Sequence, residues 1–136
     1  MKKEIPVIKG VRRPDSPFSH VVKAGDFLFL TSQLSADLRT GRIIRGTIEE
    51  QTKRALDNIQ FLLQASGSTM NNIVKAVIYM RDLSKFNEMN AVYREYFKKG
   101  EEPARVTVQA PSPIEGVDIE IEVTAIVPSI NRTSTA

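Results

Sequence analysis

The chain has no cysteine and only one histidine, His20, among its 136 residues. The absence of cysteine excludes a disulfide framework, a thiol nucleophile and a thiolate metal site. A single histidine excludes a metal site built from several imidazoles, but it leaves a Ser-His-Asp arrangement possible. His20 falls at the edge of a predicted strand, where we expect a structural imidazole.

The chain also lacks an apolar run long enough to span a membrane. Its first residues, Met1-Lys2-Lys3, lead into Glu4 and Pro6 instead of the apolar core of a secretory signal. These absences predict a cytoplasmic protein with no membrane partner. The net charge is +3, and lysine and arginine are dispersed along the chain, which argues against a dedicated nucleic-acid groove.

The composition that remains is typical of one globular domain. Hydrophobic residues make up 41% of the chain and charged residues 26%, and 136 residues suit a single core. We expect one domain at residues 4–128, followed by a polar, flexible tail at residues 129–136.

Hydrophobic periodicity predicts the element order β-β-β-α-β-α-β-β. This order indicates an α+β two-layer sandwich, in which a six-stranded mixed sheet carries two helices on one face. The first helix is predicted to begin at Thr47, whose spacing to Glu50 matches a capping box, and to end at Gly67. The second is predicted at 85–99, with Ser84 as its N-cap. The strands are predicted at 4–9, 20–23, 27–31, 73–81, 103–110 and 117–123.

The second face of this sheet is predicted to be too apolar for contact with water. Residues 27–30 and 73–80 are apolar on both sides of their strands, which is the pattern of a strand that is buried on both faces of its sheet. With both helices on one face, the other face is expected to contact a second subunit.

The two C-terminal strands carry polar side chains at alternate positions. Arg105 and Thr107 share one face of the first strand, and Glu120 and Glu122 share one face of the second. The proline-containing link at 111–116 cannot continue either strand, so we expect a hairpin. Symmetric pairing sets Thr107 opposite Glu120 and Arg105 opposite Glu122. The diagonal Arg105–Glu120 pair then lies roughly 7–8 Å apart at Cα.

This predicted polar face has two interpretations that the pattern leaves open. One is a solvated surface with a cross-strand ion pair, which contributes little to stability. The other is a site, in which the planar fork of Arg105 grips a carboxylate and Glu120 positions a water or moves a proton.

A family resemblance bears on this choice. Pro103-Ala104-Arg105, followed by Ile119-Glu120-Ile121-Glu122, resembles the C-terminal signature of the RidA (YjgF) family of reactive intermediate deaminases. Thr31-Ser32-Gln33-Leu34 and Asn90 match further family segments, and the resemblance covers about residues 5–127. It implies a chorismate-mutase-like fold and a homotrimer with sites between subunits. It implies no metal or organic cofactor.

The resemblance also implies an activity. RidA-type proteins hydrolyse reactive 2-imino and 2-enamino acids, such as 2-aminoacrylate, to 2-oxoacids and ammonia. Arg105 would then clamp the substrate carboxylate, and Glu120 would orient water or assist proton transfer. Asn90 would contribute a hydrogen bond within the site.

Three positions depart from the usual family pattern and leave the substrate's identity open. Phe18 stands where many members have tyrosine, Ser32 where glycine is usual, and Thr107 where cysteine or serine is common. We expect all three to line the substrate site. One alternative function is a regulatory module that binds a 2-oxoacid without turnover. Another is an endoribonuclease of the L-PSP type, which the single histidine and dispersed charge disfavour.

Overall fold

One sheet of six strands and two helices on one of its faces make up the structure, a computed structural model that describes residues 1–129. The predicted tail lies outside these residues from position 130 onward. The strands are Lys3–Glu4 (β1), Val21–Ala24 (β2), Phe27–Gln33 (β3), Ile73–Met80 (β4), Ala104–Gln109 (β5) and Ile119–Ile126 (β6). The helices are Ile48–Ala65 (α1) and Phe86–Tyr93 (α2). The predicted fold class and element order are confirmed.

The strand order across the sheet is β1-β2-β3-β6-β4-β5. β5 runs parallel to β4, and every other neighbouring pair is antiparallel. The predicted hairpin between the last two strands is therefore wrong, because β4 lies between β5 and β6. The physical reason is α2, which returns the chain to the starting end of β4, so that β5 enters parallel to it.

This topology separates Arg105 from Glu120. Arg105 pairs with Ala76 of β4, and Ala76 pairs with Val123 of β6, which points into the core below the helices. Glu120 pairs with Tyr79, which lies three residues along β4 from Ala76, an odd number of steps. Because successive side chains of a strand point to opposite faces, Arg105 and Glu120 lie on opposite faces of the sheet. The predicted diagonal contact within one chain is wrong.

Helix α1 begins as its capping box predicts. The Thr47 hydroxyl accepts from the Glu50 amide at 3.1 Å, and the Glu50 carboxylate accepts from the Thr47 amide at 2.9 Å. The chain leaves the helix through Gly67, whose φ of +88° favours glycine. The helix buries one apolar stripe against the sheet, formed by Ala55, Leu56, Ile59, Leu62 and Leu63.

The predicted boundaries of α2 and of the first strand are wrong. Helix α2 ends at Tyr93 and continues only as a short 3-10 turn, Arg94–Tyr96, so it is shorter than the predicted 85–99. Ser84 is not its cap. Instead the Asp82 carboxylate accepts from the Ser84 amide at 2.9 Å and begins a 3-10 turn ahead of the helix. The first strand spans Lys3–Glu4 only, since the proline that follows lacks a ladder donor.

The face of the sheet opposite the helices carries apolar side chains that no other part of residues 1–129 covers. Phe27 is 42% exposed and Phe29 46% exposed, and their rings lie 6.3 Å apart. Val106, Val108 and Ile126 are exposed in the same way. We call these five residues the open apolar face. They fulfil the prediction of an apolar second face.

Candidate active site

Arg105 lies on the edge strand β5 and points toward α2. Its Nη1 donates to Asn90 Oδ1 at 2.6 Å. Its guanidinium carbon lies 4.8 Å from the ring centre of Tyr93 and 5.5 Å from that of Phe86. Rings at this range attract a cation through their negative faces. The structure thus places Asn90 beside Arg105. It also places the rings of Tyr93 and Phe86 against the guanidinium, whereas their helical spacing had predicted core residues.

The guanidinium of Arg105 has no carboxylate partner in the described part of the chain. None of the ion pairs within residues 1–129 includes Arg105. Glu102 lines the same cleft of about 250 Å³, but its carboxylate accepts from the Gly100 amide at 2.7 Å. A partly buried, unneutralised guanidinium with a planar donor fork is suited to bind an anion.

Two hydroxyl groups beside Arg105 have unused hydrogen-bonding capacity. Thr107 follows Arg105 on the same face of β5, and both its hydroxyl and that of Tyr93 are buried without a partner among the described residues. Burial raises the pKa of Tyr93 to about 12, although the positive charge of Arg105 acts in the opposite direction. The Tyr93 hydroxyl is therefore neutral at physiological pH.

Glu120 belongs to a second group of polar residues, on the opposite face of the sheet. Ser32 Oγ donates to Glu120 Oε1 at 2.6 Å. On the neighbouring strand, the Tyr79 hydroxyl donates to Glu122 Oε1 at 2.8 Å, and this hydrogen bond raises the pKa of Tyr79. Sequence reasoning missed Tyr79, whose only signal was its alternate position on an apolar strand.

A cleft of about 550 Å³ opens beside Glu120. Ser32, Glu120 and the link between β5 and β6 form its walls, together with Phe29 of the open apolar face. The cleft is therefore continuous with the surface that one chain leaves uncovered.

Phe18 lies near Ser32 and not near Arg105. Its ring is half exposed and stands edge-on to His20, with 6.2 Å between ring centres. Phe18, Ser32 and Ile114 line a cavity of about 290 Å³. The predicted site residues thus fall into two groups. One group holds Asn90, Arg105 and Thr107, and the other holds Phe18, Ser32 and Glu120.

Other kinds of site find no support among the described residues. No group of three His, Cys, Asp or Glu side chains within residues 1–129 is arranged to hold a metal ion. In the same part of the chain, no helix is both long enough and apolar enough to cross a membrane.

Comparison with known proteins identifies the family. A family model described as Endoribonuclease L-PSP matches residues 11–127. A solved structure of the Rid family protein YyfA from Yersinia pestis superposes with a TM-score of 0.85 at 31% identity, covering 93% of this chain and all of the other. The chain belongs to the Rid family.

Two similar proteins illustrate the names that Rid-family relatives carry. A RutC family protein from Pyrococcus horikoshii is 40% identical over 123 residues, which cover 90% of this chain and 97% of the relative. The human 2-iminobutanoate/2-iminopropanoate deaminase is 33% identical over 122 residues, which cover 88% of each chain. Deaminases of small imino acids are therefore among the relatives of this Rid protein.

Proposed function

We propose that the protein hydrolyses 2-imino and 2-enamino acids to 2-oxoacids and ammonia. The observation that carries this proposal is Arg105, a guanidinium held by Asn90 and two aromatic rings and without an acidic partner up to residue 129. Relatives named as deaminases of 2-iminobutanoate and 2-iminopropanoate support the same substrate class. A substrate of this class carries the carboxylate that the guanidinium requires.

Arg105 binds that carboxylate through two parallel N–H donors, because its Nη1 contact with Asn90 leaves other donors of the fork free. Lysine at this position would offer a point charge without the fork. The Thr107 hydroxyl, buried on the same strand face, is placed to offer a further hydrogen bond once the site is filled.

Glu120 activates the water. The water oxygen bonds to C2 of the imine while Glu120 accepts one water proton and the C=N electron pair moves to nitrogen, to which Glu120 then passes that proton. In the resulting carbinolamine, Glu120 accepts the hydroxyl proton as the C2=O bond forms and the C–N bond breaks. Glu120 gives this second proton to the nitrogen, which leaves as ammonia, so acid and base roles alternate on one carboxyl group.

Arg105 and Glu120 meet across two copies of the chain, in a homotrimer. Within one copy they lie on opposite faces of the sheet. The open apolar face continues into the cleft beside Glu120, so a neighbouring copy seated there would bring its own Arg105 edge to that cleft. Closed symmetric assemblies repeat such an interface at every subunit.

The deciding experiment generates imines in place, because they hydrolyse spontaneously in water. An amino-acid oxidase supplies imines from several amino acids, and semicarbazide competes for them. The wild-type protein is expected to lower semicarbazone formation, and Arg105→Ala and Arg105→Lys are expected to match the blank. Arg39→Ala is the matched control, because Arg39 is exposed in a turn and its ion pair within residues 1–129 is with Asp37.

Two results would overturn the proposal. If the wild type matches Arg105→Ala on every imine but still binds 2-oxobutanoate, the protein is a 2-oxoacid-binding module. If it cleaves single-stranded RNA and leaves every imine untouched, the activity named in the family model is the correct one.

A further inference from the structure

Strand β3 contains an irregularity directly beside Glu120. β3 and β6 pair regularly up to Leu30 and Val123, and the ladder resumes at Gln33 and Ile121. Three residue steps on β3 therefore oppose two on β6, which is the geometry of a β-bulge. Bulges redirect a side chain that a regular strand would aim elsewhere.

The bulge brings Ser32 to Glu120. Ser32 Oγ donates to Glu120 Oε1 at 2.6 Å, the short distance expected for a hydroxyl bound to a charged carboxylate. Tyr79, which pairs with Glu120 across the sheet, gives its hydroxyl to Glu122 instead. Among residues 1–129, Ser32 is thus the one side chain that donates a hydrogen bond to Glu120.

We propose that Ser32 is a positioning residue that acts on the reaction through Glu120. This inference rests on the proposed deaminase function. The hydrogen bond from Ser32 fixes Oε1 of Glu120 and leaves Oε2 of the same carboxylate free to accept from a water in the cleft. Since a serine hydroxyl has one hydrogen, the Ser32 side chain has no donor left for the substrate. Ser32 lines the cleft beside Glu120, and in this proposal its side chain acts on the substrate through the general base.

The proton balance keeps Ser32 outside the bond changes. The water proton moves to Oε2 of Glu120 and from there to the leaving nitrogen, while the Ser32 proton stays on Oγ. Ser32 therefore affects the rate of water attack, and the carboxylate affinity remains a property of Arg105.

The test separates turnover from binding. Ser32→Ala is expected to lower turnover of the imine about tenfold, the effect of removing one hydrogen bond to a charged group. The affinity for 2-oxobutanoate, measured by calorimetry, is expected to stay unchanged, whereas Arg105→Ala weakens it about 100-fold. Ser32→Thr keeps the hydroxyl and is expected to restore turnover to within about twofold of wild type.

A double-mutant cycle decides whether Ser32 acts through Glu120. Ser32→Ala added to Glu120→Gln is expected to cause no further loss, because the proton acceptor is already gone. Wild-type turnover in Ser32→Ala, or an equal loss in both backgrounds, would overturn the positioning role while leaving the deaminase proposal intact. A wild-type protein that hydrolyses no imine would overturn the deaminase proposal itself, and the role of Ser32 with it.

Discussion

Arg105 and Glu120 lie on opposite faces of one sheet, with β4 between their strands. Arg105 faces the helix layer and contacts Asn90, and Glu120 faces the open side and contacts Ser32. A reaction that needs a carboxylate clamp and a base at one substrate therefore needs two copies of the chain. Activity then depends on oligomerisation, and subunit mixing tests this dependence.

Subunit mixing is expected to restore activity to a pair of variants that each lack one residue of the shared site. Arg105→Ala and Glu120→Gln, unfolded together and refolded at equal amounts, should regain about a quarter of wild-type activity, because each shared site draws an intact residue from each of two neighbours at random. Imine hydrolysis measures the recovery, and each variant refolded alone gives the background.

A matched control uses the same two changes in one chain. Wild type refolded with an equal amount of the double variant Arg105→Ala/Glu120→Gln is expected to show the same fraction, about a quarter of the activity of undiluted wild type. Retention of about half would mean that each site takes both residues from one copy, contrary to the shared-site proposal.

The sequence predicted the faces of single strands correctly, but it did not predict their neighbours. Arg105 and Thr107 do share a face, as do Glu120 and Glu122, because period-2 alternation is a property of one strand. The neighbour of a strand depends on the connection that precedes it. The rule that a helical crossover joins parallel strands would have placed β5 beside β4. A nearby proline-containing link favoured a hairpin instead.

The contacts within the candidate site were even harder to predict from the sequence. The family resemblance named Ser32, Asn90, Arg105 and Glu120, but no pattern gives the Ser32–Glu120 hydrogen bond. That contact depends on a bulge, and a bulge is a property of the hydrogen-bond register between two strands. The capping box at Thr47, by contrast, is local in sequence and was predicted to the residue.

Dissociation of the assembly is expected from a charge placed on the open apolar face. Phe27→Asp would put a carboxylate into the proposed subunit contact, where desolvation without a partner is costly. Sedimentation should show monomers and the imine assay should show loss of activity. Phe61→Asp is the matched control, because Phe61 is 47% exposed on α1, in the helix layer. A monomeric wild type would contradict the prediction.

Gln51 is expected to be essential for stability. Its buried amide donates to the carbonyl oxygens of Gly46 and Gly116 and to the Asp118 carboxylate, and its carbonyl accepts from the Asp118 amide at 3.0 Å. Gln51→Met removes all of these hydrogen bonds, although Asp118 keeps its ion pair with Arg81, and should lower the free energy of unfolding by about 2–4 kcal/mol. Urea unfolding measures the change. Gln64→Met, on the exposed face of the same helix, should stay within about 0.5 kcal/mol of wild type.

Acid is expected to destabilise the protein through His20. Burial lowers the pKa of His20 from 6.5, although a hydrogen bond with the Arg12 backbone acts in the opposite direction. Its Nδ1 accepts from Gln33 Nε2 at 3.2 Å, a contact that a proton on Nδ1 would break. In the unfolded chain His20 binds a proton more readily, so stability falls as pH drops below 6.5 toward the folded-state pKa.

Urea midpoints between pH 8 and pH 5 measure this effect. The wild type should lose stability across the lower half of that range, and His20→Gln should lose less, because it removes one titrating group. Parallel profiles for the two proteins would show that His20 does not contribute.

Replacement of Tyr93 by phenylalanine is expected to stabilise the fold. The Tyr93 hydroxyl is buried without a partner among the described residues, and its ring packs against Phe97 with 4.8 Å between centres. Tyr93→Phe removes an unpaired polar group and keeps the ring below Arg105, so the free energy of unfolding should rise by about 1 kcal/mol. Tyr93→Leu removes the ring as well, and 2-oxobutanoate binding should weaken about threefold with the lost cation–π contact. Thermal unfolding and calorimetry measure the two effects. A loss of stability in Tyr93→Phe would mean that the hydroxyl gains a partner in the assembled protein, either from a neighbouring copy or from an ordered water.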